Sequence, residues 1–236
     1  MPLDQDLSAR DRIIVALDLP TVSEAQQIIS GLGELAGFYK IGYQLAPIGG
    51  YDLAKELVGQ GKRVFLDLKL LDIGSIVEKG VHSLASLGAD FLTVHADHDA
   101  IAGAAEGRGD AKLKIMAVTV LTSWDQDTIR AHGFTQSVED LVLRRAEMAL
   151  KAGADGFIAS AAEAPKLRAA FGDEPLIVTP GIRPQGADVG DQKRVVTPSQ
   201  ALDRGADYLV VGRPITAASD KKNSLQAIVD ELEGLA

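Results

Sequence analysis

The feature that most constrains this chain is a series of eight short, apolar, β-rich segments separated by stretches with helical spacing. Each segment is nearly continuous in its apolar character, which is typical of a parallel strand buried on both faces. The stretches between them are rich in Ala, Leu and Glu and favour helices. The predicted strands are residues 13–19, 38–43, 64–70, 91–97, 114–121, 156–160, 176–182 and 208–214.

Alternation of strand and helix predicts βαβ units and a parallel sheet, and eight such units in 236 residues favour an α/β fold of the (β/α)8 TIM barrel type. A doubly wound open sheet is the alternative, but the G-x-G-x-x-G that a dinucleotide-binding fold places after its first strand is absent. Because we find no linker, we expect residues 1–236 to form a single barrel domain, with residues 1–10 as a short N-terminal extension.

One local device recurs before the fourth, sixth and eighth predicted strands, where the sequence reads SLGAD, KAGAD and DRGAD. Gly88, Gly153 and Gly205 lie where the C-terminus of a helix favours a left-handed residue. These turns are expected at the amino-terminal end of the barrel, where local structure serves stability.

Composition and charge narrow the function. The chain has no cysteine, which excludes disulfides, Cys-ligated zinc, iron–sulfur clusters and thiolate nucleophiles. The first ten residues lack the profile of a signal peptide, and no apolar run approaches the ~18 residues that span a bilayer, so we expect a cytoplasmic protein without a membrane partner. A net charge of −9 disfavours the nonspecific binding of nucleic acid. Any anionic ligand must therefore be held by a local basic pocket.

Charged residues are found where catalytic groups of a barrel lie, at the carboxyl ends of strands. Asp18 ends the first strand, Lys40 lies in the second, Asp67 and Lys69 lie in the third, and Asp72 follows it. Asp67 and Lys69 are two positions apart, so both side chains are expected on one face. Neighbouring carboxylates keep a lysine protonated, which suits a proton donor or electrostatic clamp better than a Schiff-base nucleophile. The alternative is a structural ion pair, or a pair of charges that protects the edge of a sheet.

The ends of the last two strands carry the pattern of a phosphate site. Gly212 lets the backbone approach a ligand, Arg213 offers a bidentate fork, and Pro214 suits the first turn of a short helix. The amides of that turn would face the anion. Arg183 and Gln192 lie on a long loop after the seventh strand, which we interpret as a mobile lid.

Other polar residues at strand ends are less specific. Thr122 and Ser160 end the fifth and sixth strands, where they could hydrogen-bond a ligand at the same mouth. His95, Asp97 and His98 could ligate a metal. We favour the simpler interpretation, in which His95 has protein partners and His98 is exposed.

Separated motifs together carry a family resemblance. The run DLKLLDI at residues 67–73 resembles the D-x-K-x-x-D-I signature of orotidine 5′-monophosphate decarboxylases. Residues 179–198 and 210–216 are similar to the phosphate-gripping segments of that family, and VALDLP, YKIG and AVTVLTS match it in order and spacing. The resemblance extends from about residue 11 to the last helix.

The resemblance implies a homodimeric barrel that uses no cofactor and no metal and converts orotidine 5′-monophosphate to uridine 5′-monophosphate and CO2, the last step of de novo pyrimidine nucleotide synthesis. It implies that Lys69 protonates C6, that Asp67 lies against the substrate carboxylate, and that Lys40 orients the charges and meets the ribose. Asp72, with Ile73, would reach into the partner subunit's site.

The remaining implied contacts are with ribose, base and phosphate. Asp18 and Thr122 would contact the ribose, and Ser160 the pyrimidine edge. The residues implied to hold the phosphate region are Arg183, Gln192, Gly212 and Arg213.

Three alternatives stay open at this point. A Mg²⁺-dependent keto-sugar-phosphate decarboxylase or hexulose-phosphate synthase shares the D-x-K-x-x-D core, although Ile73 and the loop from Arg183 to Gln192 favour a nucleotide. A metal-dependent phosphosugar epimerase would use His95 and Asp97. A barrel that binds a phosphorylated ligand without catalysis would not need a carboxylate next to a lysine.

Overall fold

The computed structural model describes residues 7–184 and 196–234. Eight parallel strands form a closed barrel in which each strand pairs with the next along the chain and the eighth pairs with the first. This confirms the predicted TIM barrel and excludes the open sheet. The strands are β1 Ile13–Ala16, β2 Phe38–Gly42, β3 Arg63–Leu70, β4 Phe91–His95, β5 Lys114–Val118, β6 Gly156–Ile158, β7 Leu176–Thr179 and β8 Tyr208–Val211.

Helices follow the strands and cover the outside of the barrel. Most of the observed strands end before the predicted apolar segments do, because the last residues of those segments turn into the loops at the mouth. The helices are α1 Val22–Leu32, α2 Gly50–Gly59, α3 Gly74–Ala85, α4 His98–Arg108, α5 Gln126–Ala131, α6 Val138–Lys151, α7 Ala164–Phe171, α8 Pro198–Asp203, α9 Arg213–Thr216 and α10 Lys221–Glu233. None of the helices in the described ranges is long and apolar enough to span a membrane.

Apolar side chains fill two separate layers, one inside the barrel and one between barrel and helices. Along β4, for example, Phe91 belongs to the inner cluster, whereas Leu92 and Val94 belong to the outer one. Burial on both faces explains why the strand segments are apolar almost throughout rather than alternating.

The amino-terminal end of the barrel is closed by a cluster of aromatic rings packed edge to face, with one guanidinium group against them. The Arg63 guanidinium lies 4.1 Å from the centroid of the Phe38 ring and 5.1 Å from that of Tyr208, and it donates a hydrogen bond to the Tyr208 hydroxyl. The Phe91 ring packs edge-on against both rings. This plug leaves the opposite, carboxyl-terminal end as the open mouth.

The recurring glycine turns are at this closed end, as predicted. Gly88, Gly153 and Gly205 have φ values of 75°, 104° and 97°, in the left-handed region that favours glycine. The aspartate two positions after each glycine accepts a hydrogen bond from a backbone N–H of the preceding strand. The pairs are Asp90 with Val64 N, Asp155 with Ile115 N and Asp207 with Ile177 N, at 2.9, 2.8 and 2.6 Å.

Candidate active site

A cavity of about 400 Å³ opens at the carboxyl ends of the strands. One side of the cavity is charged and comes from β1, β2 and β3 and the residues that follow them. A second part of the lining is apolar and comes from the ends of β5, β6 and β8, and a third part, after β7 and β8, carries arginine and glycine. The residues of these three parts, in that order, are Asp18, Lys40, Asp67 and Lys69; Val118, Val120, Leu121, Ile158 and Val210; and Gly181, Arg183, Gly212 and Arg213.

The charged wall is a chain of alternating acids and bases. Lys40 Nζ lies 2.9 Å from Asp18 Oδ1 and 3.3 Å from Asp67 Oδ2. On the other side of Asp67, Lys69 Nζ donates to Oδ1 at 2.6 Å. The structure therefore brings together the four residues that the sequence predicted as a charge cluster.

Burial and charge oppose each other in the two inner members of this chain. Burial alone would raise the pKa of Asp67, but the ammonium groups of Lys40 and Lys69 and hydrogen bonds from Lys69 and Thr93 outweigh it and hold that pKa below its usual range. Burial would lower the pKa of Lys40, but the carboxylates of Asp67 and Asp18 raise it above its usual range. Both groups thus stay charged over a wide range of pH.

Lys69 has a backbone geometry that the sequence did not predict. Leu66 pairs with Leu92 and Leu70 with Val94, so four steps along β3 match two along β4 and the register shifts between them. Within this bulge Lys69 has a φ of 43°, and among the described residues it is the only one other than glycine with a positive φ. Such a conformation is strained and persists only where its surroundings hold it.

Thr93 is a residue of this site that sequence reasoning missed. Its hydroxyl accepts a hydrogen bond from the backbone N–H of Lys69 at 2.8 Å and donates one to Asp67 Oδ1 at 3.0 Å. The side chain is fully buried, on the inner face of β4. The sequence did offer one signal: Thr93 is two positions after Phe91, so it is on the same face of β4, and β4 is next to the strand that carries Asp67.

Gly42 at the end of β2 leaves the space in which the Lys40 ammonium meets Asp18. A Cβ atom on Gly42 would lie 3.2 Å from Lys40 Nζ and 3.3 Å from Asp18 Oδ1, closer than such contacts usually are. The absence of a side chain here is therefore part of the geometry of the site.

The side of the cavity that carries Arg183 and Arg213, here called the arginine end, has the predicted pattern of a phosphate site in its described residues. Gly212 precedes the short helix α9, and Pro214 lies in its first turn. Arg183 is buried, and its backbone N–H donates to Val196 O at 2.9 Å, which joins the two ends of the loop. Thr216 also lines the cavity and was not predicted. Gln192 and most of the predicted lid lie outside the described residues.

The other predicted site residues are not all placed alike. Thr122 lines the cavity, whereas the Ser160 side chain is buried and does not line it, and the Ser160 backbone N–H donates to Glu163 Oε2. Asp72 and Ile73 lie outside the cavity, just before α3, and Ile73 is 73% exposed.

The three residues considered as an alternative metal site, His95, Asp97 and His98, do not form one. Asp97 caps α4 by accepting from the backbone N–H groups of Asp99 and Ala100, and the exposed His98 pairs with Asp99. Burial, with help from Lys69 and Arg145, lowers the pKa of His95. Within residues 7–184 and 196–234, no three His, Cys, Asp or Glu side chains cluster closely enough to hold a metal ion.

Comparison with known proteins gives one consistent family. The model of the "Orotidine 5′-phosphate decarboxylase / HUMPS family" matches residues 11–228. An orotidine 5′-phosphate decarboxylase of Rhodopseudomonas palustris (strain BisA53) is 55% identical over 228 residues, which cover 97% of each chain. One of Methylorubrum extorquens (strain PA1) is 53% identical and covers 98% of this chain and 99% of its own length.

Two solved structures have the same fold, and one of them carries the same name as these relatives. The crystal structure of orotidine 5′-phosphate decarboxylase from Lactobacillus acidophilus superposes with a TM-score of 0.82 at 40% identity, over 93% of this chain and 98% of that one. A second structure, of an uncharacterized conserved protein from Geobacillus kaustophilus, superposes with a TM-score of 0.81 at 31% identity, over 93% of this chain and 99% of that one.

Proposed function

The chain belongs to the orotidine 5′-phosphate decarboxylase / HUMPS family, and from that premise we propose that it is a carboxy-lyase that converts orotidine 5′-monophosphate to uridine 5′-monophosphate and CO2 in pyrimidine nucleotide synthesis. The observation that carries this proposal is the chain Asp18–Lys40–Asp67–Lys69 on one side of a cavity that has two arginines on another. A nucleotide has the matching chemistry, with its reacting base at one end and its phosphate at the other.

Lys69 is the proposed electrostatic catalyst and proton donor. When the bond from C6 to the carboxylate breaks, CO2 leaves and the electron pair stays on C6, in the plane of the ring. An ammonium group held near C6 stabilises that charge and then donates its proton to C6, which leaves a neutral amine that solvent reprotonates. The contact of Lys69 Nζ with Asp67 supports this role because it already places the ammonium group at the cavity wall.

The neighbouring charges have proposed roles in orientation. Asp67 would lie against the substrate carboxylate, and Lys40 would orient the charge array and reach the ribose with Asp18. Their ion pairs support these roles because each group is held by its neighbour before substrate arrives, which lowers the cost of ordering them.

The contacts to the rest of the nucleotide have uneven support. Thr122 lines the cavity, which supports a ribose contact. For Ser160 the proposed contact with the pyrimidine edge rests on the family resemblance, because its side chain does not line the cavity.

The arginine end would bind the phosphate. Arg183, Gly212 and Arg213 lie together on one side of the cavity, which supports this assignment in a chain of net charge −9. Gln192, proposed as a further phosphate contact, lies outside the described residues. Binding of the phosphate would offset the cost of orienting and desolvating the reacting carbon, which lies at the other end of the nucleotide.

The proposed reaction needs no cofactor or metal, because the only demand is stabilisation of one negative charge followed by one proton transfer. The first test mixes purified protein with orotidine 5′-monophosphate and an excess of chelator and follows the ultraviolet absorbance of the substrate and the release of CO2. We expect full turnover with chelator. Turnover that needs added Mg²⁺, or none with this substrate but some with a keto-sugar phosphate, would contradict the proposal.

We also propose a homodimer in which Asp72, with Ile73, completes the partner subunit's site. Exposed apolar side chains support this, because a surface of this kind is typical of an interface. They lie after β2 and β3 and at the start of α3, on the side of the mouth where Asp72 is found: Tyr43, Ile48, Leu71, Ile73 and Ile76.

The dimer proposal has a direct test by mixing two inactive variants, Lys69→Ala and Asp72→Ala. If Asp72 acts across the interface, a mixed dimer contains one intact site, and random mixing should restore about a quarter of the wild-type activity. If Asp72 acts in its own subunit, no mixed site is intact and no activity returns. Light scattering of the wild-type protein provides the mass of the assembly.

A further inference from the structure

Lys69 is hydrogen-bonded to Asp67 in two ways, once directly and once through Thr93. Its ammonium group donates directly to Asp67 Oδ1, and its backbone N–H donates to the Thr93 hydroxyl, which donates in turn to the same oxygen. These three hydrogen bonds form a closed ring through the side chain and the backbone of one lysine. Thr93 is the only member of the ring that comes from another strand.

The bulge in β3 explains why the ring needs Thr93. In a regular parallel ladder, the backbone N–H of a strand residue has a carbonyl partner on a neighbouring strand. The register shift between Leu66 and Leu70 interrupts the pairing of β3 with β4 at Lys69, and its N–H turns instead to a side chain of β4. The left-handed φ of Lys69 is compatible with this contact and is strained for a lysine.

We propose that Thr93 is a positioning residue of the reaction: its hydroxyl holds the Lys69 backbone and the Asp67 carboxylate in the one arrangement that points the Lys69 ammonium group into the cavity. Thr93 is not a catalytic residue, because it acts on the substrate only through Lys69 and Asp67. The inference rests on the proposed function.

The chain offers a matched control. Thr179, at the end of β7, is fully buried like Thr93, and its hydroxyl has no hydrogen-bond partner among the described residues. Although it is the first residue of the segment that resembles a phosphate-gripping loop, Thr179 does not line the cavity. It follows the inward-facing Val178 and therefore points away from the interior of the barrel. Replacing either threonine by valine removes a buried hydroxyl and keeps the shape, but only Thr93→Val breaks the ring.

The experiment compares Thr93→Val, Thr93→Ser and Thr179→Val for kcat, for the Kd of uridine 5′-monophosphate, and for hydrogen exchange of the Lys69 amide. We expect kcat to fall about 30- to 100-fold in Thr93→Val, because a misplacement of about 1 Å has costs of this order, with the Kd changed less than about threefold. Thr93→Ser should keep kcat within about fivefold and Thr179→Val within about twofold. The Lys69 amide should lose protection only in Thr93→Val.

Each other outcome has a defined meaning. A kcat in Thr93→Val within about threefold of wild type, or a loss that serine does not rescue, or an equal loss in Thr179→Val, would overturn the inference. If Thr93→Val does not fold, Thr93→Ser is compared with Thr93→Ala, and equal kcat values overturn it. If the wild-type protein does not turn over the substrate, the proposed function fails, while the exchange measurement still decides whether Thr93 holds Lys69.

Discussion

The two ends of the barrel both contain buried or partly buried aspartates in ion pairs, but they are built differently. At the closed end Asp90, Asp155 and Asp207 repeat one arrangement, in which a carboxylate accepts from a strand N–H and pairs with a basic side chain. At the open end Asp67 pairs with two lysines, Lys40 and Lys69, that line a cavity.

The two ends differ in what their carboxylates bind. At the closed end the carboxylates join neighbouring strands through their backbone, in turns where glycine removes the strain of a left-handed φ. At the open end the left-handed residue is Lys69, and its strain is held by Thr93 and Asp67. The closed end thus joins neighbouring strands of the barrel, whereas the open end holds charges at the wall of a cavity, as the proposed active site requires. The two ends should therefore respond separately to mutation.

The largest expected effect is the loss of turnover in Lys69→Ala. If Lys69 both stabilises the carbanion and donates the proton, as proposed, its removal should lower kcat by at least about 10⁴-fold. Affinity for uridine 5′-monophosphate should stay within about tenfold, because the phosphate contacts remain. Steady-state kinetics and calorimetry measure the two quantities, and substantial turnover in this variant would remove Lys69 from the proposed role.

The matching change at the closed end is Arg168→Met. Arg168 pairs with Asp207 and donates to the backbone oxygens of Gly205 and Pro175, so its loss leaves a buried carboxylate without its main cation. We expect the free energy of unfolding to fall by about 3 kcal/mol, measured by denaturant titration. The kcat of the folded protein should stay within about twofold of wild type.

Arg130→Met is the control for that change, because Arg130 forms an exposed pair with Asp127 and its loss should alter stability by less than about 0.5 kcal/mol. A tenfold loss of kcat in Arg168→Met, at temperatures where it is folded, would show that the two ends are coupled rather than independent.

A smaller effect is expected from Gly42→Ala at the open end. The added methyl group would meet Lys40 Nζ and Asp18 Oδ1 at 3.2 and 3.3 Å, so the ion pair must open by a few tenths of an ångström. We expect kcat/KM to fall about tenfold with little change in stability. Gly59→Ala, with open space around its Cβ, is the control and should keep full activity. Equal activity in both variants would show that the Lys40–Asp18 geometry is not critical.

Sequence patterns predicted the barrel because the information they use is local. Strand runs, helical spacing and the left-handed positions of Gly88, Gly153 and Gly205 depend on neighbouring residues, and all are observed. The charged residues of the mouth were found because a charge within an apolar strand is costly unless it has a partner.

The remaining details depend on contacts between distant parts of the chain. The bulge at Lys69 arises from the register of β3 against β4, which no local pattern encodes. The side chains of Asp67 and Lys69 do meet on one face, as predicted, but Lys69 reaches it from the bulge and not from a regular strand. Thr93 was missed for the same reason, since its partners lie 24 and 26 positions away. At the closed end, the sequence showed the glycines but not that Asp207 would pair with Arg168.

The smallest and most specific prediction is that Asp67 at the open end and Asp207 at the closed end change stability in opposite directions as pH falls. The pKa of Asp67 lies below its usual range, so its stabilisation is fully present above the unfolded pKa of about 3.9 and is lost as pH falls through the lower native value. Burial raises the pKa of Asp207, against its hydrogen bond with Ile177 and the charges of Arg168 and Arg12. For Asp207 the native state therefore binds the proton more tightly, and stability rises as pH falls through the raised value towards about 3.9.

The test is denaturant unfolding between pH 7 and 3 of three proteins: wild type, Asp67→Asn and Asp207→Asn. It measures how the free energy of unfolding of each changes with pH. As pH falls, the stability advantage of wild type over Asp67→Asn should shrink, and this should occur below about pH 4. As pH falls, the stability of the wild type relative to Asp207→Asn should instead increase, because only the wild-type carboxyl group can take up a proton. This increase should begin at a higher pH than the change seen with Asp67→Asn. Slopes of the same sign in both comparisons would mean that the fold favours the charged form of Asp207, as it does that of Asp67, and would contradict the prediction.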